Sequence, residues 1–86
     1  MKFFKAESNG IIRTRSSKSN DYKFAWFYRN TSKIDNPDIG ASFHKTFEAA
    51  EANANRYSKK HWLESIEIVS LVEITKEEFN QIRGSK

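Results

Sequence analysis

The side chains of this sequence that could carry out chemistry are few and far apart. His44 and His61 are the only imidazoles, cysteine is absent, and the three glycines stand singly at positions 10, 40 and 84. A metal centre needs several ligands brought together, and covalent catalysis needs an activated nucleophile. Two histidines in separate elements with no thiolate supply neither. His61 falls at the expected C-terminal end of a helix, where the dipole favours positive charge, so its place has a structural reason. Glu67 and Glu73 share one face of an expected strand, but six residues of strand separate them by roughly 20 Å, beyond the reach of an acid and base pair. They are expected to meet Arg13, Arg15 or Lys23 across a sheet. Asp35 and Asp38 flank Asn36-Pro37 and read as residues that shape a turn. Isolated glycines build no phosphate-cradling loop. The chain therefore reads as a non-enzyme with no cofactor and no metal, the lesser alternative being a small enzyme or metal protein that uses His44, His61 and the loop acids.

Binding chemistry is better represented. Up to Ile34, eight lysines and arginines (Lys2, Lys5, Arg13, Arg15, Lys18, Lys23, Arg29, Lys33) stand against Glu7 and Asp21, a surplus of +6, whereas from Asp35 onward seven basic side chains face nine acidic ones. A surplus confined to one part of a chain is the footprint of a surface that meets something anionic. Within that part, Tyr22 to Arg29 places five aromatic rings in eight positions. Side chains alternate along a strand, so Tyr22, Phe24, Trp26 and Tyr28 form one face and Lys23, Ala25, Phe27 and Arg29 the other. The first face reads as a core wall. The second reads as an exposed, basic, partly apolar surface carrying Arg13, Arg15, Lys23, Phe27 and Arg29, with Lys18 and Lys33 as peripheral contacts; the alternative is that Phe3, Phe4 or the terminal helix folds over it as second-layer core. An apolar centre with a charged rim is the anatomy of a binding site.

The elements that must position these residues are legible in outline. Lys2–Glu7 and Ile11–Arg15 read as two short strands, or one long strand broken at Gly10, with Ser8-Asn9-Gly10 supplying turn residues. Ser16–Asp21 reads as the tip of a hairpin joining Ile11–Arg15 to the aromatic strand. If Ile12 faces the core beside Trp26, Arg13 and Arg15 join Lys23 and Arg29 outside. Asn30–Ser42 reads as a connecting loop. A helix is expected from about Phe47 to Lys60, with Thr46 as N-cap and a stripe of Phe47, Ala50, Ala54, Tyr57 and His61. Ile66–Ile74 reads as one strand. Thr75-Lys76-Glu77-Glu78 is a capping box, stapled by Ile74 and Phe79, that opens a short helix to about Arg83. Together these predict a single α+β domain over residues 1–86. Its expected form is a small antiparallel sheet of three or four strands, with one long helix packed on one face and a short C-terminal helix.

At 86 residues without a disulfide, the chain has only a small core, and its 14% aromatic content must supply the burial. No apolar run approaches a membrane span and no signal segment is evident, so the expected setting is the cytoplasm, that of the host cell if the gene belongs to a phage. A compact, cysteine-free chain with no enzyme motif, one charged surface and an apolar patch resembles, in overall type, the small inhibitors made by phages and mobile elements, anti-CRISPR proteins among them. That resemblance implies a protein partner or a protein–nucleic-acid complex, with inhibition of a host nucleic-acid-handling or defence complex as the function. Many such inhibitors imitate nucleic acid with acidic surfaces, and the basic front portion departs from that pattern. Direct binding of single-stranded nucleic acid is the alternative, since rings on a sheet stack bases while cations neutralise phosphates. A homodimer is a further partner option, and a membrane is not.

Overall fold

The computed structural model describes residues 1–30, 38–57, 59 and 63–84. Its strands are β1 (Lys2–Ser8), β2 (Ile11–Ser17), β3 (Phe24–Asn30), β4 (Asp38–His44), β5 (Leu63–Ser70) and β6 (Val72–Ile74), and its helices are α1 (Phe47–Tyr57) and α2 (Lys76–Gly84). They form two three-stranded antiparallel sheets, ordered β2-β1-β6 and β4-β3-β5. The expected single sheet under one long helix is thereby corrected: the helices span 11 and 9 residues, and each covers a different sheet. No helix among the described residues is long and apolar enough to cross a membrane.

The second sheet has three local origins. Asn9 and Gly10 both adopt positive φ, 52° and 81°, so the chain turns back within two residues and β2 pairs with β1 from Ser8↔Ile11 to Lys2↔Ser17. The expected hairpin between β2 and the aromatic strand is not made. Asp38–His44, expected as part of a loop, is the strand β4 and pairs along all of β3. Finally, Ile66–Ile74 is not one flat strand. Ile66 is the extra residue of a bulge opposite the Phe27/Tyr28 step, and at Leu71 the chain leaves β3 and crosses to β1, where Phe3↔Ile74 and Lys5↔Val72 pair.

The layers follow from strand alternation. Phe24, Trp26 and Tyr28 face α1, which lies close because Ala50 and Ala54 are its buried positions. Phe47 meets Phe24 edge-on at 5.8 Å, and Tyr57 stacks on Trp26 at 6.4 Å. The opposite face of β3 meets β1: Ala25 and Phe27 pack with Ala6, ringed by Ile11, Ile39, Ala41, Phe43, Ile66, Val69 and Leu71. Beyond β1, Phe3 contacts Phe79 at 4.7 Å and Lys5 pairs with Glu78 at 3.1 Å, which seats α2 on the outer side. The stack therefore runs α1, β4-β3-β5, β2-β1-β6, α2. Both expected caps are present: Thr46 Oγ1 accepts from the Ala49 amide and Thr75 Oγ1 from the Glu78 amide, each at 3.1 Å.

Because β3 is covered on both faces, Phe27 is a core residue at 0% exposure. Phe27→Ala is expected to cost about 3–5 kcal/mol, read as a large drop in the urea midpoint, while Lys23→Ala at the exposed edge changes stability by no more than about 0.5 kcal/mol. An unaltered midpoint for Phe27→Ala would place that ring outside the core.

Candidate functional site

The seven residues expected to share one surface are separated by the fold. Phe27 is sealed between the sheets and cannot touch a partner, which corrects its expected place at the centre of an exposed patch. Arg29 lies on the same inner side as Phe27 but at the end of β3, where it is exposed. Arg13 and Arg15 pair in register with Ala6 and Phe4, so they point toward the other sheet rather than away from it, and Ile12 takes the outer face at 38% exposure. Lys18 and Lys23 are exposed in the connection from β2 to β3. Lys33 lies outside the described residues, as do Asp35 and His61. Glu67 does not meet Arg13, Arg15 or Lys23; its carboxylate accepts a hydrogen bond from the buried Ser8 hydroxyl.

Arg13 has a definite task. Its guanidinium donates to the Ile39 carbonyl oxygen from Nε at 3.2 Å and Nη2 at 2.6 Å, and from Nη1 to the Ile12 carbonyl at 3.0 Å. It thus ties edge strand β2 to edge strand β4, occupying a carbonyl that could otherwise recruit a foreign strand. Arg15 lies over the Tyr22 ring at 5.1 Å, and Tyr22 in turn meets Phe4 and Phe43 edge-on at 5.7 and 6.2 Å.

The exposed cations collect where β2 ends and β3 begins. The backbone of Lys23 donates to His44 O and accepts from Leu71 N, both at 2.9 Å, so this residue sits where β4 and β5 come together. The register therefore brings Lys45, which directly follows β4, to the same corner as Arg15, Lys18 and Lys23. Lys45 carries no sequence signal for this role, because its placement depends on a strand whose glycine and flanking turn residues disguise it. Asp21 in the same connection is engaged by Lys2 at 3.5 Å. Lys18, Lys23 and Lys45 form no ion pair among the described residues.

Two of the cavities among the described residues border the aromatic strand β3. One, of about 420 Å³, opens between the sheets at the end opposite the basic corner, over Phe27 and between Arg29 and Glu64. The other, of about 290 Å³, lies between α1 and its sheet, lined by Trp26, Tyr28, Ser42, Asn53, Tyr57 and Leu63. Tyr28 folds over Gly40 so closely that a Cβ there would meet its hydroxyl at 2.8 Å. Among the described residues no group of three His, Asp or Glu side chains is placed to hold a metal ion. Comparison of the chain with protein-family models, curated proteins and solved structures gives no match.

His44 joins a polar chain beside the second cavity. Asn53 Nδ2 donates to Ser42 Oγ at 3.2 Å, and Ser42 Oγ shares a hydrogen bond with His44 Nε2 at 2.8 Å whose direction follows the imidazole tautomer. Burial penalises the charged ring and holds its pKa below the ordinary 6.5. The unfolded chain therefore takes up a proton here before the folded one does. The stability contributed by neutral His44 is fully present above about pH 6.5 and is lost as pH falls from there through the lowered folded value. Urea midpoints at pH 7.5 and 5.5 are expected to show a smaller acid-side loss in His44→Gln than in the unsubstituted protein; equal losses would count against the assignment.

Proposed function

We propose that the protein is a non-enzymatic binding protein that engages an acidic surface of a protein partner through the basic corner formed by Arg15, Lys18, Lys23 and Lys45. Inhibition of a host nucleic-acid-handling or defence complex is the activity that fits its overall type. The observation that carries this reading is the placement at one corner of three exposed lysines that form no ion pair among the described residues. Trp26 and Phe27 are buried, Tyr22 lies beneath Arg15, and the half-exposed Phe47 is packed edge-on against Phe24, so the corner offers charge with little free ring surface on which bases could stack. That favours an acidic protein surface over a single-stranded nucleic acid. Exposed cations of this kind steer association and select partners more than they add affinity, so binding should weaken as salt rises.

The test is capture from a host lysate on immobilised protein, with and without nuclease. The expected result is a partner whose recovery survives nuclease, declines with salt, and falls on the order of tenfold, or about 1.4 kcal/mol, in the Lys18→Glu/Lys23→Glu variant with its circular dichroism unchanged. Recovery that needs intact nucleic acid, or that ignores the charge reversal, would overturn the reading.

A further inference from the structure

The two sheets are joined at one end by the chain itself, since β5 runs through Leu71 into β6, and they are free to diverge at the other. At that open end two polar links hold them in register. Ser8 binds Glu67 on one flank, and Arg13 binds the Ile39 carbonyl on the other. Between these links lies the cavity of about 420 Å³, near the lower end of the range for small-molecule sites. Ile11, Ile39 and Ile66 give it an apolar side over the sealed Phe27 ring, Ser8, Asn9 and Ser65 give it a polar one, and Arg29 and Glu64 stand at its rim.

Arg29 and Glu64 are direct partners across β3 and β5, on the same face of the sheet. Opposite charges in that relation ordinarily pair. Here no ion pair joins them, and each remains exposed. We propose that this mouth binds a free α-amino acid with an apolar side chain. Its carboxylate lies on the Arg29 guanidinium, its ammonium on the Glu64 carboxylate, and its side chain against Ile11, Ile39 and Ile66. The pair of charges selects the zwitterion. A simple fatty carboxylate would set one anion against Glu64, and a simple amine would set one cation against Arg29, so each forfeits half of the polar recognition while keeping the apolar half. A polar amino acid forfeits the apolar contacts instead. This site lies at the far end of the molecule from the basic corner, and the proposal does not depend on the one made for that corner.

The experiment is a titration of the intact protein, followed by amide chemical shifts, with L-leucine and L-phenylalanine. Isovalerate, isopentylamine and L-glutamate serve as comparison ligands. The expected result is saturable shifts at Ile11, Phe27, Ile39 and Ile66 with at least one of the two apolar amino acids, and binding weaker by about tenfold or more, that is about 1.4 kcal/mol, for each comparison ligand. Arg29→Gln and Glu64→Gln alter exposed rim side chains, so both variants should fold, and each should weaken the apolar amino acid by a similar factor. Absence of saturation up to about 10 mM, weaker than the millimolar affinity worth roughly 4 kcal/mol, would overturn the proposal. Isovalerate or isopentylamine binding as well as leucine, or undiminished binding in both variants, would do the same.

Discussion

A single stretch of chain, Leu63 to Ile74, belongs to both sheets, and the rest of the molecule is arranged around that fact. A strand that hydrogen-bonds to β3 before Leu71 and to β1 after it forces the two sheets to lie against each other. The gap between them must then be filled by whatever β1 and β3 present. Ala6 and Ala25 allow close approach, Phe27 fills what they leave, and all three are almost completely buried. In this short chain the arrangement covers each sheet on two faces: one sheet by the other, and the outer sides by α1 and α2. The aromatic richness has its explanation here. Rings supply the most burial per residue, and without a disulfide little else is on hand to hold four layers together.

The molecule is consequently different at its two ends. Where the shared strand crosses, the backbone closes the sandwich, the strand termini converge on Lys23, and exposed lysines gather. At the other end closure is left to side chains, with a serine–carboxylate link and an arginine on a carbonyl oxygen flanking an open space. Charge repulsion at the first end and incomplete packing at the second both oppose folding. Each is tolerated because the central layer between them is dense. Features of this kind, locally unfavourable and globally supported, are where function is normally sited.

Much of the local structure was legible in the sequence, and little of the assembly. The alternation of Phe24, Ala25, Trp26, Phe27 and Tyr28, the caps at Thr46 and Thr75, and the burial of Ala50 and Ala54 depend on neighbours a few residues away, and they were read correctly. The second sheet depends on pairings between distant segments. Asn9-Gly10 carried the two-residue hairpin signal, but the longer polar stretch at Ser16–Asp21 competed for the same role. Asp38–His44 was hidden by Gly40, which is required because Tyr28 lies across it. The surface expected around Phe27 failed for one reason: a basic, half-apolar strand face looks the same in sequence whether it meets solvent or another sheet. In sequence Arg13 stands out by its charge, whereas its guanidinium geometry is what the structure uses. The seven expected contact residues were not brought together; Arg15, Lys18 and Lys23 were, and Lys45 joined them.

The Lys5–Glu78 pair bridges 73 positions of sequence, and the sheet to which Lys5 belongs is completed only when Val72–Ile74 arrives beside it. The hairpin of β1 and β2 can close early and quickly, but alone it has an unfilled edge and an uncovered apolar side. Its consolidation must wait for the costly closure of most of the chain into one loop. The architecture that gives so small a protein a two-sided core therefore makes the region from Leu71 to Phe79 the segment that completes the sheet begun at the N-terminal strand.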